Sequence, residues 1–285
     1  MTDEWLNSWH GVDEVDPTID DVYRTRRGYY AMISYIDDKL GELVDELDRN
    51  GFGDNTIVVF TSDHGDMVGD HGMFFKRTFR EPSSRVPLIV AGPGVVGSER
   101  VSAVTSLVDV FPTLVDLAGL PLPERALAAS LAGVSLRTEL MGEKRVASRH
   151  VVIENLAEGT RKPTRTVVQD GFKFVYVADE EELLFDLPAD PGEWQNLAAD
   201  PAHVDRVARM KALCLDNWDP VELSPHIAAS QQVRNFIRQA LTQGYTTSWD
   251  YQPFEDAGRM YVRTPRRHRH DSSTPEQFDE MTGGQ

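Results

Sequence analysis

"NTIVVFTSDHGDMVGDHGMFFKRTFRE", residues 55 to 81, begins apolar and turns abruptly polar. Thr56 to Phe60 is β-branched and apolar throughout, the pattern of a strand buried on both faces of a parallel sheet. Its end presents Ser62, Asp63, His64, Gly65 and Asp66 in succession. Open α/β sheets place their chemistry beyond the carboxyl ends of their strands, so this strand end is a candidate site.

The flanks agree with α/β organisation. Upstream, Ile33, Ile36, Leu40, Leu43, Val44 and Leu47 recur at three- and four-residue steps, with Asp37, Asp38, Glu42 and Asp45 on the opposite face. Thr18 with Asp21 has capping-box spacing, and Asn50-Gly51 is a stop. Such a helix is about 45 Å long, enough to cross a large sheet. Downstream, "RVPLIVAGPG" (85–94) repeats the strand pattern, and "SLVDVFPTLVDLAGL" (106–120) reads as a helix closed by Gly119. Helix, strand, loop, strand, helix predicts an α/β core with a parallel sheet. After about residue 150 the texture changes. "RTVVQDGFKFVYVA" (165–178) is two strands about an Asp170-Gly171 turn, an antiparallel hairpin, and helical patterns follow. A boundary is therefore expected near 150, between a 1–150 α/β part and a smaller 151–285 α+β part.

Bulk properties narrow the function. The 285 residues are 40% hydrophobic and 26% charged, values of an ordinary soluble protein. No apolar run reaches the roughly 18–20 residues of a membrane span, and the acidic start "MTDEWLNSWHGVDEV" is unlike a signal peptide. Forty-six acids against 29 bases give a formal charge of −17, which repels phosphate backbones and argues against nucleic-acid binding. The basic run "RTPRRHRH" (263–270) reads as a solvated tail. Cys214 is the one cysteine, set in a helical pattern; it forms no internal disulfide and fits a reducing, cytoplasmic setting.

Asp63 and His64 are adjacent, and at a strand-to-loop turn both can converge on one point. A carboxylate oxygen and an imidazole nitrogen suit a divalent cation. Gly65 permits a tight turn behind them, and the ammonium of Lys76 can reach back to an anion. On the residues alone two readings stay open: half of a metal site, or a capped turn.

Residues 23–120 resemble the second half of the catalytic domain of sulfatases, in the alkaline phosphatase-like superfamily. The resemblance rests on "RRGYYAMISYIDDKLGELVDEL" (26–47), "TIVVFTSDHGDMVGDHGMFFK" (56–76), "RVPLIVAGPG" and "SLVDVFPTLVDLAGL", in the family's order and spacing. "ELLFDLPADPGEWQNLAADP" (182–201) resembles the segment closing the family's C-terminal subdomain. The "SDHG" form and "SWDYQPFEDAGRMYVR" (248–263) look most like the choline-sulfatase branch. The resemblance implies hydrolysis of a small-molecule sulfate ester, choline-O-sulfate for that branch, in a cytoplasmic homo-oligomer. By the same resemblance Asp63 and His64 match the second pair of metal ligands, for Ca²⁺ or Mn²⁺. Lys76 matches the lysine that contacts the sulfate, as a catalytic and substrate-binding residue. Glu154 lies where that branch offers a carboxylate to the quaternary ammonium.

Other family parts have no counterpart. Family catalysis uses a formylglycine made from a cysteine in a C-x-P-S-R-type motif; Cys214 is followed by Leu215 and Asp216. Of the Asp-Asp pairs, Asp20-Asp21 and Asp37-Asp38 fall on the long helix and are expected to face water. The chain is thus expected to be a C-terminal half that neither binds metal tightly nor turns over alone. The "TPRRHRHDSSTPEQFDEMTGGQ" end (264–285) also departs from the acidic tail expected of the branch. A phosphonate or phosphate ester hydrolase of the same superfamily is the alternative enzyme, and a non-catalytic interaction module the alternative outside enzymes.

Overall fold

The computed structural model describes residues 2–121, 133–143 and 149–244. They fall into two compact units, Met1–Trp218 and a second starting at Asp219. The "RTPRRHRH" run, the "SWDYQPFEDAGRMYVR" segment and Trp249 lie outside the described residues.

The first unit opens with α1 (Thr2–His10), α2 (Val12–Val15) and the 31-residue α3 (Ile19–Arg49). α3 starts as its sequence dictates: the Thr18 side chain accepts from Asp21 N–H, and the Asp21 carboxylate accepts from Thr18 N–H at 3.0 Å. It ends at Asn50, after which Gly51 takes a left-handed φ of 75°. Asp20, Asp37 and Asp38 are exposed, as expected, while Asp21 is partly covered where it caps the helix. So is the apolar stripe: Ile33, Ile36 and Leu43 are each about half exposed.

β1 (Val58–Thr61), the hairpin β2 (Met67–Val68) and β3 (Phe74–Phe75), the short α4 (Glu81–Ser84) and β4 (Leu88–Ala91) follow. β1 and β4 pair antiparallel, Val58 opposite Ala91 and Thr61 opposite Leu88, where a parallel pair was expected. The reason is the connection. Residues 62–87 turn back at the end of β1 and re-enter beside it, and no crossover helix runs the length of the strand. Nor is either strand fully buried within the described residues; Ile89 is 58% exposed.

α5 (Val110–Leu117) carries Pro112 in its first turn, where a missing N–H is harmless. Asp109, fully buried just before it, accepts from Ser106 N–H, Val134 N–H and the Arg149 guanidinium. After α6 (Arg137–Leu140) comes a four-stranded antiparallel sheet, β5 (His150–Asn155), β6 (Thr164–Gln169), β7 (Phe172–Val177) and β8 (Leu183–Asp186), in sequential order. The β6–β7 turn is the predicted one, with Asp170 at φ 50° and Gly171 at φ 80°.

α7 (Val204–Leu215) lies on one face of this sheet, where Met210 and Cys214 meet Val167, Phe174 and Leu184. On the other face Val175 and Phe185 pack with Phe79 from the loop before α4. The sheet begins at residue 150 and lies in the first compact unit, which closes at Trp218. The second unit contains α8 (Pro220–Thr242), capped by the Asp219 carboxylate, with Phe236 and Leu241 exposed.

Candidate metal and anion site

The site grows from the end of β1. Thr61 Oγ1 donates to Pro87 O at 2.8 Å, tying the strand end to the returning chain. Ser62 Oγ then donates to His64 O at 2.9 Å, and Asp63 Oδ1 accepts from His64 N–H at 3.0 Å. These local bonds curl the backbone so that two adjacent side chains turn the same way. Gly65 closes the turn: its N–H donates to Ser83 O at 2.8 Å, and a Cβ there would stand 2.0 Å from Pro82 O. Only glycine lets the chain pass so close to α4.

His64 Nδ1 lies 2.8 Å from Gly65 O. A carbonyl only accepts, so Nδ1 carries the hydrogen and Nε2 the lone pair. The Lys76 ammonium donates to that lone pair at 2.5 Å, and Asp63 Oδ2 stands 3.3 Å from the same nitrogen. The structure thus brings Asp63, His64 and Lys76 together. An imidazole with Nδ1–H on a backbone carbonyl and Nε2 free to donate electrons is the arrangement typical of metal-ligating histidine. Desolvation, the largest single influence on the Asp63 carboxyl, pushes its pKa up. His64, backbone hydrogen bonds and Lys76 together outweigh it and hold the group below its usual range. Lys76 is flanked by Phe75 and Arg77, both non-glycine residues at positive φ, 68° and 82°. Backbone held in that region needs surrounding support, and it is often found where a side chain must be aimed.

Glu154 is not among the contacts of this cluster. It sits on β5, paired with Arg165 Nε at 3.0 Å. That guanidinium also donates to Cys214 O and Asp216 O. His71 turns elsewhere: its ring stacks on Trp194 at 3.9 Å and its Nε2–H donates to Gly192 O at 2.7 Å. Trp9 meets Arg77, Trp5 meets Arg161, and Trp218 meets Tyr176. Cys214 is fully buried, its Sγ donating to Arg165 O, and desolvation pushes its pKa up to about 12. No three His, Cys, Asp or Glu side chains gather to hold a metal among the described residues. No described helix is long and apolar enough to cross a membrane.

Sequence reasoning missed a second cluster behind the site, formed by Lys173, Glu81 and Glu193. One signal was available: Lys173 interrupts an otherwise apolar strand, "FKFVYV". Glu193 gave none.

Family profiles described as "Sulfatase", "N-sulphoglucosamine sulphohydrolase, C-terminal" and "Choline sulfatase enzyme C terminal" match residues 3–120, 69–217 and 226–267. The chain belongs to the sulfatase family. Among individual proteins it is similar to the choline-sulfatase of Rhizobium meliloti (strain 1021), 40% identical over 251 residues, 87% of this chain and 48% of that one. Among solved structures it is similar to the phosphonate monoester hydrolase of Agrobacterium radiobacter, with a TM-score of 0.60 and 31% identity over 70% of this chain and 42% of that one. A 2-O GAG sulfatase aligns with a TM-score of 0.57 and 35% identity, covering 64% and 40%. The α/β, alkaline phosphatase-like fold class therefore stands. The chain spans about half the length of the curated relatives it matches.

Proposed function

We propose that this chain supplies the C-terminal part of a sulfuric ester hydrolase that acts on choline-O-sulfate. The observation that carries the proposal is the convergence of Asp63, His64 and Lys76 at the end of β1. Its substrate rests on the 40% identity to choline-sulfatase and on the matching C-terminal profile. Glu154, half-exposed beside Arg165, is the proposed counter-charge to the quaternary ammonium. Cytoplasmic location and self-association, for which the exposed apolar residues of α8 are suited, belong to the same reading.

The donor set fits a divalent cation in part. Asp63 offers carboxylate oxygen and His64 a directed lone pair, but Ca²⁺ takes about six to eight ligands, so the rest come from outside the described residues. Bound there, Ca²⁺ or Mn²⁺ would stabilise charge on the transferring sulfuryl group. Nε2 has a single lone pair. Were it to hold a cation, the Lys76 ammonium would be left for a sulfate oxygen. Cys214 is walled into the α7 core, so the formylglycine nucleophile has no source in these residues and is supplied by a preceding segment.

The test is an enzyme completed with the N-terminal part of the Rhizobium meliloti choline-sulfatase. It should hydrolyse choline-O-sulfate in preference to phenyl phosphonates. The solved phosphonate monoester hydrolase favours a second reading, in which the same cluster serves phosphonate esters. A phosphonate preference establishes that reading and sinks the first.

A further inference from the structure

β7 divides its side chains between two faces. Phe174 faces α7, while its neighbours Lys173 and Val175 face the loop that precedes α4. Lys173 is fully buried there. Its ammonium donates to Phe79 O and to Glu193 Oε1, each at 2.8 Å, and is ion-paired with Glu81 Oε1 at 2.6 Å. Glu193 is 2% exposed and uses its second oxygen, Oε2, to accept from Glu81 N–H at 2.7 Å. Its carbonyl accepts from Arg80 Nη1 at 2.7 Å, and Arg80 in turn pairs with Asp3. Glu193 holds φ 57° to do this.

All three partners from the loop, Phe79, Arg80 and Glu81, belong to the start of one short turn. The end of that turn reaches the site: Ser83 O accepts from Gly65 N–H, and Pro82 O lies against Gly65 Cα with no room for a side chain. Upstream, the same loop carries Lys76. The sheet therefore clamps the turn at its beginning, and the turn holds His64's neighbour at its end.

A buried charge cluster is a weak device for stability, because apolar residues of equal volume often do as well. What it supplies is direction, since each bond is fixed in angle as well as distance. We infer that Lys173 and Glu193 are positioning residues for the Asp63–His64–Lys76 cluster: they fix α4 so that Gly65 and Lys76 hold His64 in place. They touch no substrate. The chemistry they serve rests on the function proposed above, whereas their geometric role can be read without it.

The test is Glu193→Gln in the full chain. The substitution keeps shape but leaves one acceptor oxygen, so either Lys173 or Glu81 N–H faces an amide NH₂. Amide exchange at Gly65 should rise about tenfold, while Val167 and Phe174 in the sheet core change by less than about twofold. Glu81→Gln, at a more exposed position, should act in the same direction and covers the case in which the first variant does not fold. In the completed enzyme kcat should fall about 10-fold or more with KM little changed. Unchanged exchange at Gly65 overturns the inference, and so does a parallel rise at Gly65, Val167 and Phe174. A Gly65 response in a completed enzyme that leaves sulfate esters intact upholds the clamp and refutes only the proposed function.

Discussion

Lys76 Nζ stands 2.5 Å from His64 Nε2, a cation donating into the one lone pair of a ring whose other nitrogen is committed to Gly65 O. The contact joins two chain segments across the β2–β3 hairpin and couples a candidate metal ligand to a candidate anion binder. Lys76→Met keeps the length of the side chain and removes its charge. In the completed enzyme it should lower kcat/KM for choline-O-sulfate by about 10²–10³. Steady-state kinetics checks this, and a loss under about threefold would show that Lys76 does not meet the transferring group.

Gly65→Ala should destabilise the first unit by about 2 kcal/mol or more, since a Cβ would collide with Pro82 O at 2.0 Å and backbone must move. Chemical denaturation measures the loss. Gly72→Ala is the control, because a Cβ there would meet nothing within 4 Å; only its φ of 69° opposes the change.

The fold was legible where local chemistry decides it. Thr18, Asp21 and Gly51 marked both ends of α3, and Asp170-Gly171 marked the hairpin, because caps and tight turns are written in adjacent residues. The antiparallel pairing of β1 with β4 was not legible. Two apolar strands read alike in either direction, and the choice depends on how residues 62–87 return. The site was half legible: Asp63, His64 and Lys76 stand in one segment. Lys173 and Glu193 lie in distant segments and meet Glu81 only through tertiary packing. Glu154 shows the converse, since its position in the sequence did not reveal Arg165 as its neighbour.

His10 should make the first unit acid-labile. Its ring lies among Trp9 and Phe75, and desolvation, reinforced by Arg77, lowers its pKa from 6.5 to about 4. The folded state thus binds fewer protons than the unfolded one between these values, so its contribution to stability is lost as pH falls from about 6.5 toward 4. Melting temperatures across this window should decline less steeply in His10→Phe than in the wild type.

Cys214 gives the opposite edge. Its thiol is neutral when folded up to about pH 12, against an ordinary value of 9.0, so stability should decline as pH rises above about 9. At pH 8 the folded chain should resist alkylation that goes to completion in denaturant. Rapid labelling of the folded chain would show that α7 does not seal the core.

The central claim is that Asp63 and His64 form half of a working metal site. Asp63→Ala and His64→Ala, each in the enzyme completed with the Rhizobium meliloti segment, should reduce Ca²⁺- or Mn²⁺-dependent hydrolysis of choline-O-sulfate at least about 100-fold. Full metal-dependent activity in both variants would contradict it.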